Sequence, residues 1–186
     1  MGKIGQGMGK IVSNFFISLD GVVEAPDQWH FEWFDDEMGG IIGEGFATTS
    51  AMLMGRRLYS EWSEYWPAHA EDDFGKILNE LPKYVVTDSL SEATWQNTTL
   101  VPGQGAAERL RQVKAETDGD ISMSGCATTV RWLLREGLLD ELRLLIHPVA
   151  VGKGQRLFDD TELTKLRLVD ERTLGSGVLY VAYAPA

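Results

Sequence analysis

The chain has 186 residues, of which 44% are hydrophobic and 24% charged, with a formal net charge of −11. That length and apolar content suit one globular domain with a sizeable core and exclude a disordered chain, and no run approaches the roughly 18 apolar residues of a membrane span. The acidic balance argues against nucleic acid or an anionic membrane as main partner, and a single cysteine, Cys126, precludes an intrachain disulfide, so a cytoplasmic protein is expected.

Residues 1–9, MGKIGQGMG, are Gly-rich and begin again as MGKI at Met8, so they are expected to be an extension outside the fold. Residues 10–19, KIVSNFFISL, alternate, with Ile11, Phe15, Ile17 and Leu19 on one face; they read as the first strand. It ends at the turn pair Asp20-Gly21. Residues 22–34 are rich in aromatics (Trp29, Phe31, Trp33, Phe34) and carry Pro26, which disfavours a regular element. Asp35 or Asp36 can cap a helix running to about Phe46. Gly39, Gly40, Gly43 and Gly45 weaken it by about 1 kcal/mol each, so packing or a close backbone approach is expected to compensate.

Residues 51–54, AMLM, are wholly apolar and read as a strand buried on both faces. They stop at Gly55-Arg56-Arg57, and residues 58–62 open a helix. A short helix over 74–81 ends at Pro82, and strands follow at 84–87 and 98–101. Residues 105–116 form an amphipathic helix with Ala106, Leu110 and Val113 inward and Gly119 beyond its end.

A strand at 121–123 then runs into Ser124-Gly125-Cys126-Ala127, and a helix begins near Thr128 with Val130, Leu133 and Leu134 on one face and Gly137 as its stop. A strand that turns into a helix through small residues leaves free N–H groups at the helix's positive end, a ready seat for phosphate. After Gly137 come a long strand, 141–151, and two more, 166–172 and 178–183, the last pair joined through Ser176-Gly177. About eight strands result, the first five separated by helical segments. The reading is a three-layer α/β domain whose mainly parallel sheet carries an antiparallel C-terminal extension. His30, His69 and His147 are far apart and show no ligand spacing, so no structural zinc site is expected.

Several segments in order now resemble the dihydrofolate reductase-like family, and more closely its branch containing the reductase domain of bacterial riboflavin biosynthesis. They are Ser18-Leu19-Asp20-Gly21, Met54-Gly55-Arg56-Arg57, Tyr84-Val85-Val86-Thr87, Ser124-Gly125-Cys126-Ala127, Leu139-Asp140-Glu141-Leu142, Pro148-Val149-Ala150-Val151-Gly152-Lys153-Gly154 and Leu157-Phe158. The resemblance implies one dihydrofolate reductase-like reductase domain over residues 10–186, with an eight-stranded sheet and NADPH across its carboxyl edge. It implies that Gly55, Arg56 and Arg57 hold cofactor phosphates, where surface arginines after a buried strand are the plain alternative. Arginine forks suit phosphate. It puts Thr87 and Ser89 near the adenosine ribose. Asp88 between them would repel a 2′-phosphate and leaves NADH open, while Arg56 and Arg57 favour NADPH.

Ser124, Gly125, Cys126, Ala127 and Thr128 correspond to the family's glycine-rich turn at the pyrophosphate, where a cis or strained Ser124-Gly125 bond is expected. Cys126 is read as a small residue filling a crowded turn rather than a nucleophile, since no His or second Cys stands near it in sequence. The aromatic segment with Trp29 and Phe31 is the expected substrate wall, and Lys153, Gly154 and Arg156 are the expected contact for a substrate phosphate; core and a solvated turn are the alternatives. The family's spacing brings its single pterin-binding carboxylate to Met38-Gly39, not to an acid. Asp36, then Asp20, are therefore the candidate proton donors, with solvated helix-start acids as the alternative.

The implied activity is NADPH-dependent hydride transfer to a pyrimidine- or pterin-like ring, resembling 5-amino-6-(5-phosphoribosylamino)uracil reductase. The alternatives are dihydrofolate reductase-type activity and a non-catalytic nucleotide- or ligand-binding protein on the same fold. A homodimer is the family's expectation.

Overall fold

A computed structural model describes residues 8–159 and 161–186. Eight strands form one sheet in the order β4-β3-β2-β5-β1-β6-β8-β7. The strands are β1 (Lys10–Ser18), β2 (Thr49–Gly55), β3 (Lys83–Val86), β4 (Thr98–Val101), β5 (Asp120–Ser124), β6 (Glu141–His147), β7 (Leu166–Thr173) and β8 (Leu179–Pro185). From β4 to β6 every neighbouring pair is parallel, and β8 and β7 then add in antiparallel fashion. The helices are α1 (Asp36–Ala47), α2 (Arg56–Ala68), α3 (Asp73–Glu80), α4 (Ala106–Glu116) and α5 (Ala127–Arg135). None among the described residues is long and apolar enough to cross a membrane.

The alternation of each inner strand divides its side chains between two helical layers. Ile11, Phe15 and Ile17 of β1, Ala51 and Leu53 of β2, and Ile121 and Met123 of β5 pack against Leu110 and Val113 of α4 and Ala127, Val130 and Leu133 of α5. The opposite face holds two separate cores. Met38 of α1 packs on Leu145, Tyr180 and Ala182, while Met52 and Met54 pack on Tyr59 of α2 and Leu78 of α3. Between these cores the same face of β1 and β5 carries Asn14, Ser122 and Ser124, all half-buried. The sheet is dry on one side and has a polar strip at its centre on the other.

Most expected elements form, with physical reasons for the differences. Strand 51–54 is buried on both faces as its composition required. Gly137, at φ 63, ends α5 with Leu138 N–H donating to the Leu133 carbonyl at 2.8 Å. The first strand ends at Ser18, leaving Leu19 exposed. The sixth stops at His147 rather than continuing to 151, because Pro148 has no N–H to give the ladder and the chain turns away. No helix separates β3 from β4. Of the expected N-terminal extension, residues 1–7 lie outside the described part. Gly9 belongs to the fold, donating its N–H to the Lys114 carbonyl at 2.8 Å. The glycines of α1 are not compensated by packing: a side chain at Gly39, Gly40 or Gly43 would meet nothing within 4 Å.

Candidate cofactor and substrate cleft

The site is built at the carboxyl edge, where neighbouring strands send their chains to opposite faces. From β2 the chain enters α2 on one layer; from β5, paired with β2, it enters α5 on the other. A crevice opens at such a divergence in parallel sheets. Gly55 is the N-cap of α2 and Cys126 that of α5. A Cβ on Gly55 would lie 3.0 Å from Cys126 Sγ and 3.1 Å from Thr129 Oγ1. Only glycine at position 55 lets the two helix starts approach so closely. Both present unpaired N–H groups and positive dipole ends to the same side.

The turn feeding α5 takes an unusual path. Gly125 and Cys126 have φ of 71 and 68, consecutive left-handed residues. For Cys126 that conformation costs about 1–2 kcal/mol. Its Sγ lies 2.9 Å from Thr129 Oγ1. Cys126 therefore fits a packed turn. None of the described peptide bonds is cis, so the expected cis Ser124-Gly125 bond is corrected: the turn is made by dihedrals at 125 and 126 instead. Gly125 N–H donates to the Asn14 carbonyl at 3.1 Å, tying the turn to β1.

Arg56 and Arg57 lie exposed in the first turn of α2. Arg57 Nε pairs with Glu61 Oε1 at 3.4 Å, whereas Arg56 has no polar partner among the described residues. Ser124, Ala127 and Thr128 line the α5 start, and Thr128 Oγ1 accepts from Gln155 Nε2 at 3.3 Å. Further out, Thr87 Oγ1 accepts from the Ser89 and Leu90 N–H groups in a local turn. Asp88 Oδ1 accepts from Gly103 N–H at 2.8 Å, so this carboxylate ties a loop. The floor is the polar strip, with Asn14 Nδ2 donating to Ser122 Oγ at 3.1 Å.

The candidate acids do not fit a proton donor. Asp20 accepts from Ser18 Oγ at 2.6 Å, from Val151 N–H at 3.0 Å and from Gly152 N–H at 2.8 Å. The Ser18 hydroxyl first, and then these two amides, hold its carboxyl down at about 2. It is a fixed anion that fastens loop 148–157 to the end of β1. Asp36 is exposed at the start of α1, beside Asp35, whose Oδ1 caps the helix at Met38 N–H. The position expected for the family's carboxylate, Met38, is fully buried in apolar contact.

Two expected substrate contacts are also occupied. Arg156 donates from Nε to the Asp20 carbonyl at 3.0 Å. Gly154, at φ 117, lies where a Cβ would meet Val22 Cγ1 at 2.9 Å, so it serves loop packing. Lys153 remains exposed.

Two residues were missed by reading the sequence. His147, at the end of β6, and His30, in the aromatic segment, are brought to a ring separation of 6.0 Å. Both are buried, and His147 Nε2 and His30 Nδ1 have no partner. A buried nitrogen left unpaired costs about 1–3 kcal/mol. Burial pushes the pKa of each below the ordinary histidine value; the neighbouring His147 adds to the fall at His30, while the Leu145 carbonyl opposes it at His147. Trp29 edges onto His147 at 5.4 Å, and Phe31 lies exposed over His30 at 4.2 Å. The one signal in sequence was His147 standing before Pro148, at a strand's end. Surface cavities of about 420 Å³ beside Trp95 and about 310 Å³ beside Phe158 are lined by none of these residues.

Comparison with known proteins agrees with this architecture. A family model described as the RibD C-terminal domain matches residues 9–180. The chain is 28% identical over 181 residues to the uncharacterised protein YyaP of Bacillus subtilis (strain 168), covering 94% of each. A putative riboflavin biosynthesis protein from Shewanella sp. PV-4 superposes with a TM-score of 0.74 at 16% identity, over 95% of this chain and 99% of that one. Dihydrofolate reductase from Enterococcus faecalis, complexed with NADP(H) and RAB-propyl, gives 0.62 at 12% identity, over 96% and 97%. The fold is dihydrofolate reductase-like.

Proposed function

Because this chain belongs to the RibD C-terminal domain family, matched over residues 9–180, we propose that it is an NADPH-dependent reductase acting on a pyrimidine- or pterin-like ring. The reaction would resemble that of 5-amino-6-(5-phosphoribosylamino)uracil reductase. The observation that carries the reading is the meeting of the α2 and α5 N-termini at Gly55 and Cys126, with Arg56 unpaired beside them. Two helix starts and a guanidinium suit the phosphates of a dinucleotide. Arg56 and Arg57, exposed in the first turn of α2, favour a 2′-phosphate and so NADPH over NADH, against the charge of Asp88, whose Oδ1 is engaged with Gly103.

When bound, the nicotinamide supplies a hydride from C4. The chain's own part is to hold and to orient. Arg56 and the α2 and α5 amides fix the phosphates, and Asn14, Ser122 and Ser124 line the floor. The aromatic segment around Trp29 borders the substrate side of the cleft. With Asp20 held as an anion and Asp36 in solvent, the proton that balances the hydride comes from water. Dihydrofolate reductase-type activity fits less well, because Met38 gives a pterin no carboxylate.

Thermal unfolding with millimolar NADPH or NADH tests this. NADPH should raise the melting temperature of the wild type, and Arg56→Ala should lose most of that rise without altering the unliganded transition. If neither nucleotide shifts the wild type, the cofactor reading is wrong.

A further inference from the structure

The polar strip and helix starts account for a cofactor but leave the two histidines without a role. His147 Nδ1 lies 2.9 Å from the Leu145 carbonyl oxygen, so Nδ1 carries the proton and donates. That tautomer puts the lone pair on Nε2, which is buried and unpartnered. A fixed neutral imidazole of this kind is an acceptor awaiting an N–H donor. It is framed edge-on by Phe16 at 5.8 Å, Trp29 at 5.4 Å and Trp33 at 5.9 Å.

His30 is the flat nitrogen heterocycle now lying beside that acceptor. Its ring is stacked on Phe16 with centroids 4.3 Å apart and planes 14° from parallel. Phe16 follows Asn14 on the same face of β1, next to the polar strip. The segment bearing His30 is weakly attached. Its two single 3-10 turns, Pro26–Gln28 and Phe31–Trp33, are bonded internally. Among the described residues, the hydrogen bonds of 26–34 reach no further than Ala25 and Glu24. What holds it to the sheet is ring stacking and the packing of Trp33 against the core around Met38 and Leu145. At its start, Ala25 has φ 44, and at its end Asp35 caps α1.

We propose that His30 occupies the seat of the substrate's ring, and that an entering heterocycle displaces segment 26–34, stacks on Phe16 and donates an N–H to His147 Nε2. This deepens, and rests on, the reductase reading. It assigns the substrate class as planar rings with a lactam or amino N–H. It also gives the two histidines opposite roles: His147 binds the substrate and His30 competes with it.

The test is titration of 5,6-diaminouracil into the protein with NADPH present, followed by tryptophan fluorescence. Removing the competitor in His30→Ala should tighten binding by about tenfold, because the seat no longer has to be vacated. His147→Phe should weaken it by about ten- to hundredfold by leaving the donor unpaired, and His147→Gln, which keeps an acceptor, should recover much of the loss. A merely structural role for the pair would move both variants in one direction. Equal affinity in His30→Ala and wild type overturns the proposal, as does wild-type affinity in His147→Phe. Should His147→Phe fail to fold, the sign of the His30→Ala effect still decides. If the wild type does not bind 5,6-diaminouracil, this seat is wrong, while the NADPH-dependent rise in melting temperature judges the reductase reading separately.

Discussion

Adding one methyl group at Gly55 tests whether the two helix starts really depend on each other. In Gly55→Ala the new Cβ would stand 3.0 Å from Cys126 Sγ and 3.1 Å from Thr129 Oγ1, both tighter than ordinary contact. The backbone raises no objection, since Gly55 has φ −85 and ψ 165. The cost is therefore overpacking, about 1–3 kcal/mol, less about 0.4–1 kcal/mol recovered from the stiffer unfolded chain. A net loss of about 1–2 kcal/mol should lower the melting temperature by about 2–4 °C per kcal/mol. Cys126→Gly removes the obstructing sulfur and relieves the left-handed dihedral at φ 68, so by itself it should be close to neutral. In that background Gly55→Ala still meets Thr129 Oγ1 at 3.1 Å, so it should cost less rather than nothing, and the double-mutant cycle should return a coupling of about 0.5–1 kcal/mol. Urea unfolding followed by tryptophan fluorescence measures all four proteins. Equal losses from Gly55→Ala in both backgrounds would refute the claim that the close approach at Cys126 is what requires glycine.

Gly40→Ala and Gly43→Ala, both exposed on α1 with nothing within 4 Å, should each stabilise the fold by about 0.5–1 kcal/mol in urea unfolding; destabilisation would mean that α1 is not a regular helix there. The depressed pKa values of His30 and His147 set a pH dependence with a definite sign. Below the ordinary histidine value near 6.5 the unfolded chain takes up protons that the folded chain resists, so stability is full above that pH and falls as pH drops below it. The melting temperature should decline on acidification from pH 7 to 5, and the decline should shrink in His30→Gln; an unchanged profile would exclude a buried neutral His30. Asp20, held at about 2 against an ordinary 3.8, stabilises above pH 4 and loses that contribution as pH falls towards 2. Asp20→Asn should accordingly weaken the fold at pH 7 but not at pH 2, and hydrogen exchange should show the amides of Val151 and Gly152 loosened.

What could be read from the sequence was what neighbours along the chain determine. The double burial of 51–54, the Asp35 cap and the Gly137 stop depend on local composition and period, and each formed. The small residues at 55 and 124–127 marked turns at strand ends, which made the two helix starts of the cleft visible as two separate segments. Their contact was not visible, because β2 and β5 become neighbours only through pairing across some 70 positions. Asp20 misled for a related reason. A carboxylate beside a turn glycine looks available until the amides of 151 and 152, more than 130 residues away, are seen to fill it.

The histidines show the same limit more sharply. Ligand or catalytic spacing in sequence can find pairs on one helix or one turn, and His30 and His147 share neither. They meet because β1 pairs with β6 in a register that puts Ser18 opposite His147, while the segment leaving β1 folds back over Phe16. Once they meet, the chemistry is constrained from two sides. The Leu145 carbonyl fixes the tautomer of one ring, and stacking on Phe16 fixes the plane of the other. Neither constraint needs a charged group, so the proposed seat would orient a flat, N–H-bearing ring without an available carboxylate.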